Sequence, residues 1–159
     1  MNKLTEMIVA RLPLRQQQNI KRFYYGAQIA WGRFVSAEAE FAMLDELVGE
    51  GDWVVDIGAN VGHYALKLSQ LVGPRGRVLA FEPVPETFEL LASNAARFEH
   101  KNVSLFNVAV GETSSVVGMS VPKLESGLRN LYRARIADEG AQFDVLRTPL
   151  DPVLCPQPI

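Results

Sequence analysis

The chain has 159 residues, 48% hydrophobic and 21% charged, which suits one globular domain with a real core. Sixteen basic residues oppose eighteen acidic ones, and the net charge of -2 excludes long-range attraction to nucleic acid or an anionic membrane. The single cysteine, Cys155, excludes an intrachain disulfide, no apolar run approaches the roughly 20 residues that span a bilayer, and the N-terminus lacks the apolar core of a secretory leader, so the expected location is the cytoplasm.

The first part of the chain, to Val48, reads as helices. Gln16 to Val35 is rich in helix formers and in aromatics (Phe23, Tyr24, Tyr25, Trp31, Phe34), with Gly26 and Gly32 weakening it as one straight helix. The aromatics leave two readings open, a lid over an acceptor site or a core or interface stripe. Ser36 is placed to cap the next helix, in which Phe41, Leu44, Leu47 and Val48 recur at helical spacing and face a core. Gly49 to Asp52 breaks the pattern.

From Trp53 the character changes. Trp53 to Ile57 is a continuous β-branched run, the pattern of a strand buried on both faces of a parallel sheet. A glycine loop, Gly58 to Gly62, leads into a helix from His63 to Val72 whose Tyr64, Leu68, Leu71 and Val72 share a face. Gly73 to Gly76 is a turn, and Arg77 to Glu82 a second strand. Pro83 and Pro85 end it, and Pro85 fits the first turn of a helix that carries Phe88, Leu91, Ala92 and Ala95 at helical spacing. Val103 to Phe106 is a third strand. This order predicts right-handed crossovers and a parallel sheet flanked by helices. Ser115 to Val121 and Phe143 to Thr148 read as an antiparallel appendage. Arg129, Arg133 and Arg135, between them, read as a solvated face.

Ligands of open α/β sheets sit at the carboxyl ends of the strands. Asp56 ends the first strand there, and the glycines of the following loop let the backbone approach a ligand closely. Glu82 ends the second strand, where a carboxylate accepts hydrogen bonds from both hydroxyls of a ribose and rejects a 2′-phosphate. A dinucleotide fingerprint needs G-x-G-x-x-G, and Asn60 occupies the second glycine position. Asp56 would repel a pyrophosphate and welcome the ammonium of a methionine moiety. S-adenosylmethionine offers an ammonium, a sulfonium and a free ribose diol, so the electrostatics favour it over NAD. Asn107, at the end of the third strand, meets either an adenine edge or a local turn. Asn60 is a ligand residue or a left-handed turn residue, and His63 and Tyr64 are a helix start or the place of a catalytic base. Glu38 and Glu40 read as helix surface. No His, Asp and Glu cluster has metal-ligand spacing, and no general base stands out.

At this point residues 37 to 121 resemble the FkbM family of S-adenosylmethionine-dependent methyltransferases. The matching stretches are residues 54–64 (VVDIGANVGHY), 76–83 (GRVLAFEP), the neighbourhood of Asn94, and 107–112 (NVAVGE). The resemblance implies a Rossmann-like class I methyltransferase fold, a loop from Asp56 to Gly62 that holds the methionine part, and Glu82 on the ribose. It also implies O-methylation of a sugar or natural-product hydroxyl. The candidate cofactor-binding set is Asp56, Gly58, Ala59, Asn60, Gly62, Glu82, Pro83, Asn107 and Val108. The expected organisation is a helical segment over 1–48 and a cofactor-binding part over 49–159. Family members continue into a fourth strand beside the first, with an Asp-x-Glu-Gly motif, and the expectation here is a chain cut short of it. The first strand is then an exposed apolar edge. A partner chain, a second copy, or the Pro-rich end from Pro156 to Ile159 could cover it. The expected partners are a small-molecule acceptor and no nucleic acid or membrane. The alternative function is a non-catalytic S-adenosylmethionine-binding module or an inactive fragment.

Overall fold

The computed structural model of the chain describes residues 3–122, 124, 127, 129–130, 133–137 and 139–154. Cys155 and the Pro-rich end lie outside the described residues. Helices α1 (Lys3–Ala10), α2 (Leu14–Ala30) and α3 (Glu40–Leu47) come first. Strands and helices then alternate as β1 (Trp53–Ile57), α4 (His63–Val72), β2 (Arg77–Phe81), α5 (Pro85–Ala95) and β3 (Val103–Phe106). The remainder is β4 (Ala109–Val110), β5 (Ser115–Ser120), β6 (Arg135–Ile136), β7 (Phe143–Thr148) and a short α6 (Asp151–Leu154).

The first three strands form a parallel sheet in the order β1-β2-β3, with Trp53 opposite Arg77 and Val78 opposite Val103. Parallel neighbours need crossovers, which α4 and α5 supply. Alternate β2 residues Val78 and Ala80 face these helices. Ala80 packs with Ala65, Leu91 and Phe98, and Val78 packs with Leu68 and Val72. Full burial of each large apolar side chain here contributes about 1.5–3 kcal/mol, which fixes the strand ends relative to the helix starts. β1 departs from the expectation of burial on both faces and has the exposed apolar edge that was the other expectation for it: Trp53 is 72% exposed and Ile57 58%. Among the described residues β1 pairs only with β2, so its outer edge and far face meet solvent.

The helix faces also differ in detail. α5 buries Thr87, Leu90, Leu91 and Asn94, while Phe88 and Ala95 pack at the margin of the same cluster. α2 runs unbroken through Gly26, where an added Cβ would lie 3.1 Å from Nε of Arg97. Helix α3 starts at Glu40 rather than after Ser36, whose Oγ accepts the N–H of Glu38 in a local turn. Leu44 and Val48 pack on Leu68 and Val72 as expected, but Leu47 is exposed.

The second sheet has the order β4-β7-β5-β6, with β5 and β7 antiparallel. β4 and β6 are two residues long, too short for periodicity to signal. Its core of Ala109, Met119, Val121 and Val145 includes Val84, just before α5, and so sits beside the carboxyl end of β2. Among the described residues no helix is long and apolar enough to cross a membrane.

Candidate functional site

The loop after β1 is held from below. The N–H groups of Gly58 and Ala59 both donate to the carbonyl of Phe81, and that of Gly62 to the carbonyl of Ala59, each at 2.9 Å. The N–H of Asn60 donates to Oε2 of Glu82 at 2.9 Å, and the N–H of Val61 to Oδ1 of Asn60 at 2.8 Å. Asn94, fully buried on α5, donates its amide to the carbonyl of Val61 at 2.8 Å. Gly62 has φ +99°, and a Cβ there would lie 2.8 Å from Cδ1 of Leu91, so only glycine lets α4 start this close to α5. Asn60 is left-handed at φ 50°, the turn geometry that one of its two readings anticipates.

Two carboxylates lie under the loop. Glu82 is only 5% exposed, and its other oxygen, Oε1, accepts the N–H of Val84 at 2.9 Å. Burial pushes its pKa up, against the pull of the two backbone N–H groups. Each oxygen still has a lone pair for a hydroxyl. Asp56 on β1 is raised to about 6, by burial first and by the charge of Glu82 second, and its Oδ2 is buried with no hydrogen-bond partner. An orphaned buried carboxylate is costly unless a cation or donor arrives. This is the observation that fits a cationic ligand group.

Two cavities open on either side of Gly58, which lines both and whose missing Cβ leaves the space there clear. The larger, about 550 Å³, has Gly58, Ala59, Asn60 and Val61 with His63 and Tyr64 as one wall. Lys21, Tyr24, Tyr25 and Gln28 of α2 also line it, with Glu38 and Arg129. The smaller, about 210 Å³, is mostly apolar and lies between Pro83, Val108 and Ala109 on one side and Met119, Ala134 and Ile136 on the other.

Of the candidate set, Gly58, Ala59 and Asn60 line the large cavity, and Gly58, Pro83 and Val108 the small one. Asp56, Gly62 and Glu82 line neither; Glu82 and Gly62 hold the loop that joins the cavities. Asn107 donates its amide to the carbonyls of Glu82 and Pro83, at 2.8 and 3.1 Å, so that group ties strand ends together. His63 stacks on Phe34 at 4.1 Å, and burial lowers its pKa, so it is neutral near pH 7 and can accept a proton in the cavity. The Tyr64 hydroxyl donates to Glu38 at 2.7 Å, and that bond pushes its pKa up to about 12. Tyr64 is therefore no base.

Sequence alone places neither Lys21 nor Arg129 at the site and reads Arg129 as part of a solvated face. Arg129 instead ion-pairs with Glu86 and donates to Gln142 at 2.7 Å. Lys21, Tyr24, Tyr25 and Gln28 fall at i, i+3, i+4 and i+7, a polar-aromatic face that helical spacing alone could have flagged. Tyr24 and Tyr25 thus line the site, whereas Phe23 and Trp31 are exposed.

The family model described as the methyltransferase FkbM domain matches residues 56–153. Protein-L-isoaspartate O-methyltransferase of Methanothrix thermoacetophila is 35% identical over 79 residues, covering 48% of this chain and 38% of that protein. Protein-L-isoaspartate O-methyltransferase 1 of Archaeoglobus fulgidus is 34% identical over 88 residues, covering 54% and 39%. The chain therefore spans about two fifths of the length of these relatives. A solved S-adenosylmethionine-dependent methyltransferase from Aquifex aeolicus is 31% identical, with 40% of this chain and 34% of that one covered at a TM-score of 0.38. With most of its length matched by one family model, from the strand-end carboxylate Asp56 onward, the chain belongs to the FkbM-domain family of S-adenosylmethionine-dependent methyltransferases.

Proposed function

We propose that this chain holds S-adenosylmethionine for methyl transfer to an oxygen acceptor, a hydroxyl of a sugar or natural product. One observation carries the cofactor part. The N–H groups of residues 58 to 62 are all engaged within the protein, and two carboxylates lie beneath them. A loop that binds a pyrophosphate needs free N–H donors and no adjacent negative charge. This loop offers the reverse, which suits an ammonium and a ribose diol.

Bound there, the cofactor would supply an electrophilic methyl group on a positively charged sulfur. The protein's share is placement, which can contribute about 7–11 kcal/mol when the geometry is right. Asp56 would meet the ammonium, Glu82 the ribose hydroxyls, and Pro83 and Val108 would flank the adenine. Neutral His63 takes the hydroxyl proton.

The names of the relatives favour a second acceptor, the carboxylate of an isoaspartyl residue in a protein. Methyl-labelled S-adenosylmethionine, incubated with a panel of neutral glycosides and with an isoaspartyl peptide, separates the two. A base-stable methyl ether supports the hydroxyl reading. A base-labile ester on the peptide alone overturns it in favour of the second. No saturable binding of the cofactor by a folded chain overturns both.

A further inference from the structure

The cofactor that this chain is read to hold carries an amino acid end with two charges, and the loop answers only one of them. Asp56 suits the ammonium. The carboxylate needs donors, and the loop N–H groups have none left to give. The large cavity on which the loop opens is lined by two fixed cations, Lys21 and Arg129. Arg129 is already matched, by its ion pair with Glu86, its bond to Gln142 and its place over the Phe143 ring. Lys21 is not. It lines the same cavity from α2, and it makes no hydrogen bond or ion pair with any described residue.

We infer that Lys21 is the counter-ion of the cofactor's methionine carboxylate, held in the large cavity that it lines with the loop of Gly58 to Val61. The inference rests on the cofactor reading above and names a ligand residue that lies outside the matched family segment.

Three features support it. Lys21 is half-buried, and desolvation lowers its pKa, with Glu86 acting against that and Arg129 with it. A partly desolvated ammonium with three free donors gains more from an anion than a surface lysine does. The start of α4 has no side-chain cap and brings His63 and Tyr64 to the same cavity, so the positive end of the helix reinforces the attraction. Finally, neither Glu86, which pairs with Arg129, nor Glu38, which accepts the hydroxyls of Tyr64 and Ser36 at 2.7 and 3.2 Å, forms an ion pair with Lys21.

The test removes the charges of the ligand one at a time. The full chain is titrated calorimetrically with S-adenosylhomocysteine, with its decarboxylated analogue, which keeps the ammonium, and with 5′-methylthioadenosine, which has neither charge. Lys21→Met is expected to weaken S-adenosylhomocysteine about tenfold, the size of one charge-assisted hydrogen bond. It should leave the other two ligands within about twofold, and their binding shows that the variant is folded. Lys21→Arg should recover most of the loss. Equal weakening of all three ligands, or no weakening of any, overturns the inference while leaving the cofactor reading intact. A wild-type chain that binds none of the three overturns the cofactor reading, and the inference with it.

Discussion

Asp56→Asn separates the cost of the site from its use. The Asp56 carboxyl stands at about 6 rather than its ordinary 3.8, because burial and the neighbouring Glu82 disfavour its charge. The native state therefore binds more protons than the unfolded chain between these two values. Stability that is present below the unfolded value is lost as pH rises through the folded one. The full gap is worth about 3 kcal/mol, of which about 2 to 3 kcal/mol falls between about pH 4 and pH 8. An asparagine cannot ionise, so the variant lacks this loss. Urea denaturation of both chains, extrapolated to water at several pH values, isolates the effect as the difference between them. That difference should move in favour of the variant by about 2 to 3 kcal/mol from about pH 4 to pH 8, while carboxylates that do not interact with Asp56 cancel. The variant should at the same time bind S-adenosylhomocysteine at least about tenfold more weakly. A difference that stays flat with pH would refute the claim that Asp56 is a strained, buried acid awaiting a cation.

Other positions test other parts of the site. Gly62→Ala should destabilise the chain by about 1–3 kcal/mol in the same assay, since a methyl group there meets Leu91 at a left-handed φ. Gly58→Ala meets no atom within 4 Å, so it should cost about 1 kcal/mol of stability yet weaken cofactor binding disproportionately by crowding the point where the two cavities meet. Asn94→Ala removes the buried tie to the Val61 carbonyl, and about 1–3 kcal/mol with it; hydrogen exchange should quicken in the 58–62 loop before it does in β2.

How much of this was legible in advance differs from element to element. β1, α4 and β3 begin and end where the pattern of apolar runs, glycines and prolines places them, because local propensity and tertiary packing agree there. Asp56 and Glu82 could be picked out because strand ends and their spacing are local features. The exposure of Trp53 and Ile57 was not legible from their own segment, since burial of a strand depends on which neighbours pair with it. Lys21 escaped for a similar reason. An isolated lysine on an aromatic-rich helix is ordinary, and it gains a role only when α2 lines the same cavity as the glycine loop. Asn107 shows the converse, a strand-end amide equally suited to ligand or backbone, whose donors the fold directs to the backbone.

The most direct measurement of the central claim is calorimetric titration of the full chain with S-adenosylhomocysteine and with NAD, beside a Glu82→Ala variant, with circular dichroism reporting that each chain is folded. Saturable binding of S-adenosylhomocysteine, absence of NAD binding, and at least about a tenfold loss in the variant are the predicted results. A folded wild-type chain that binds NAD and ignores S-adenosylhomocysteine would contradict the account.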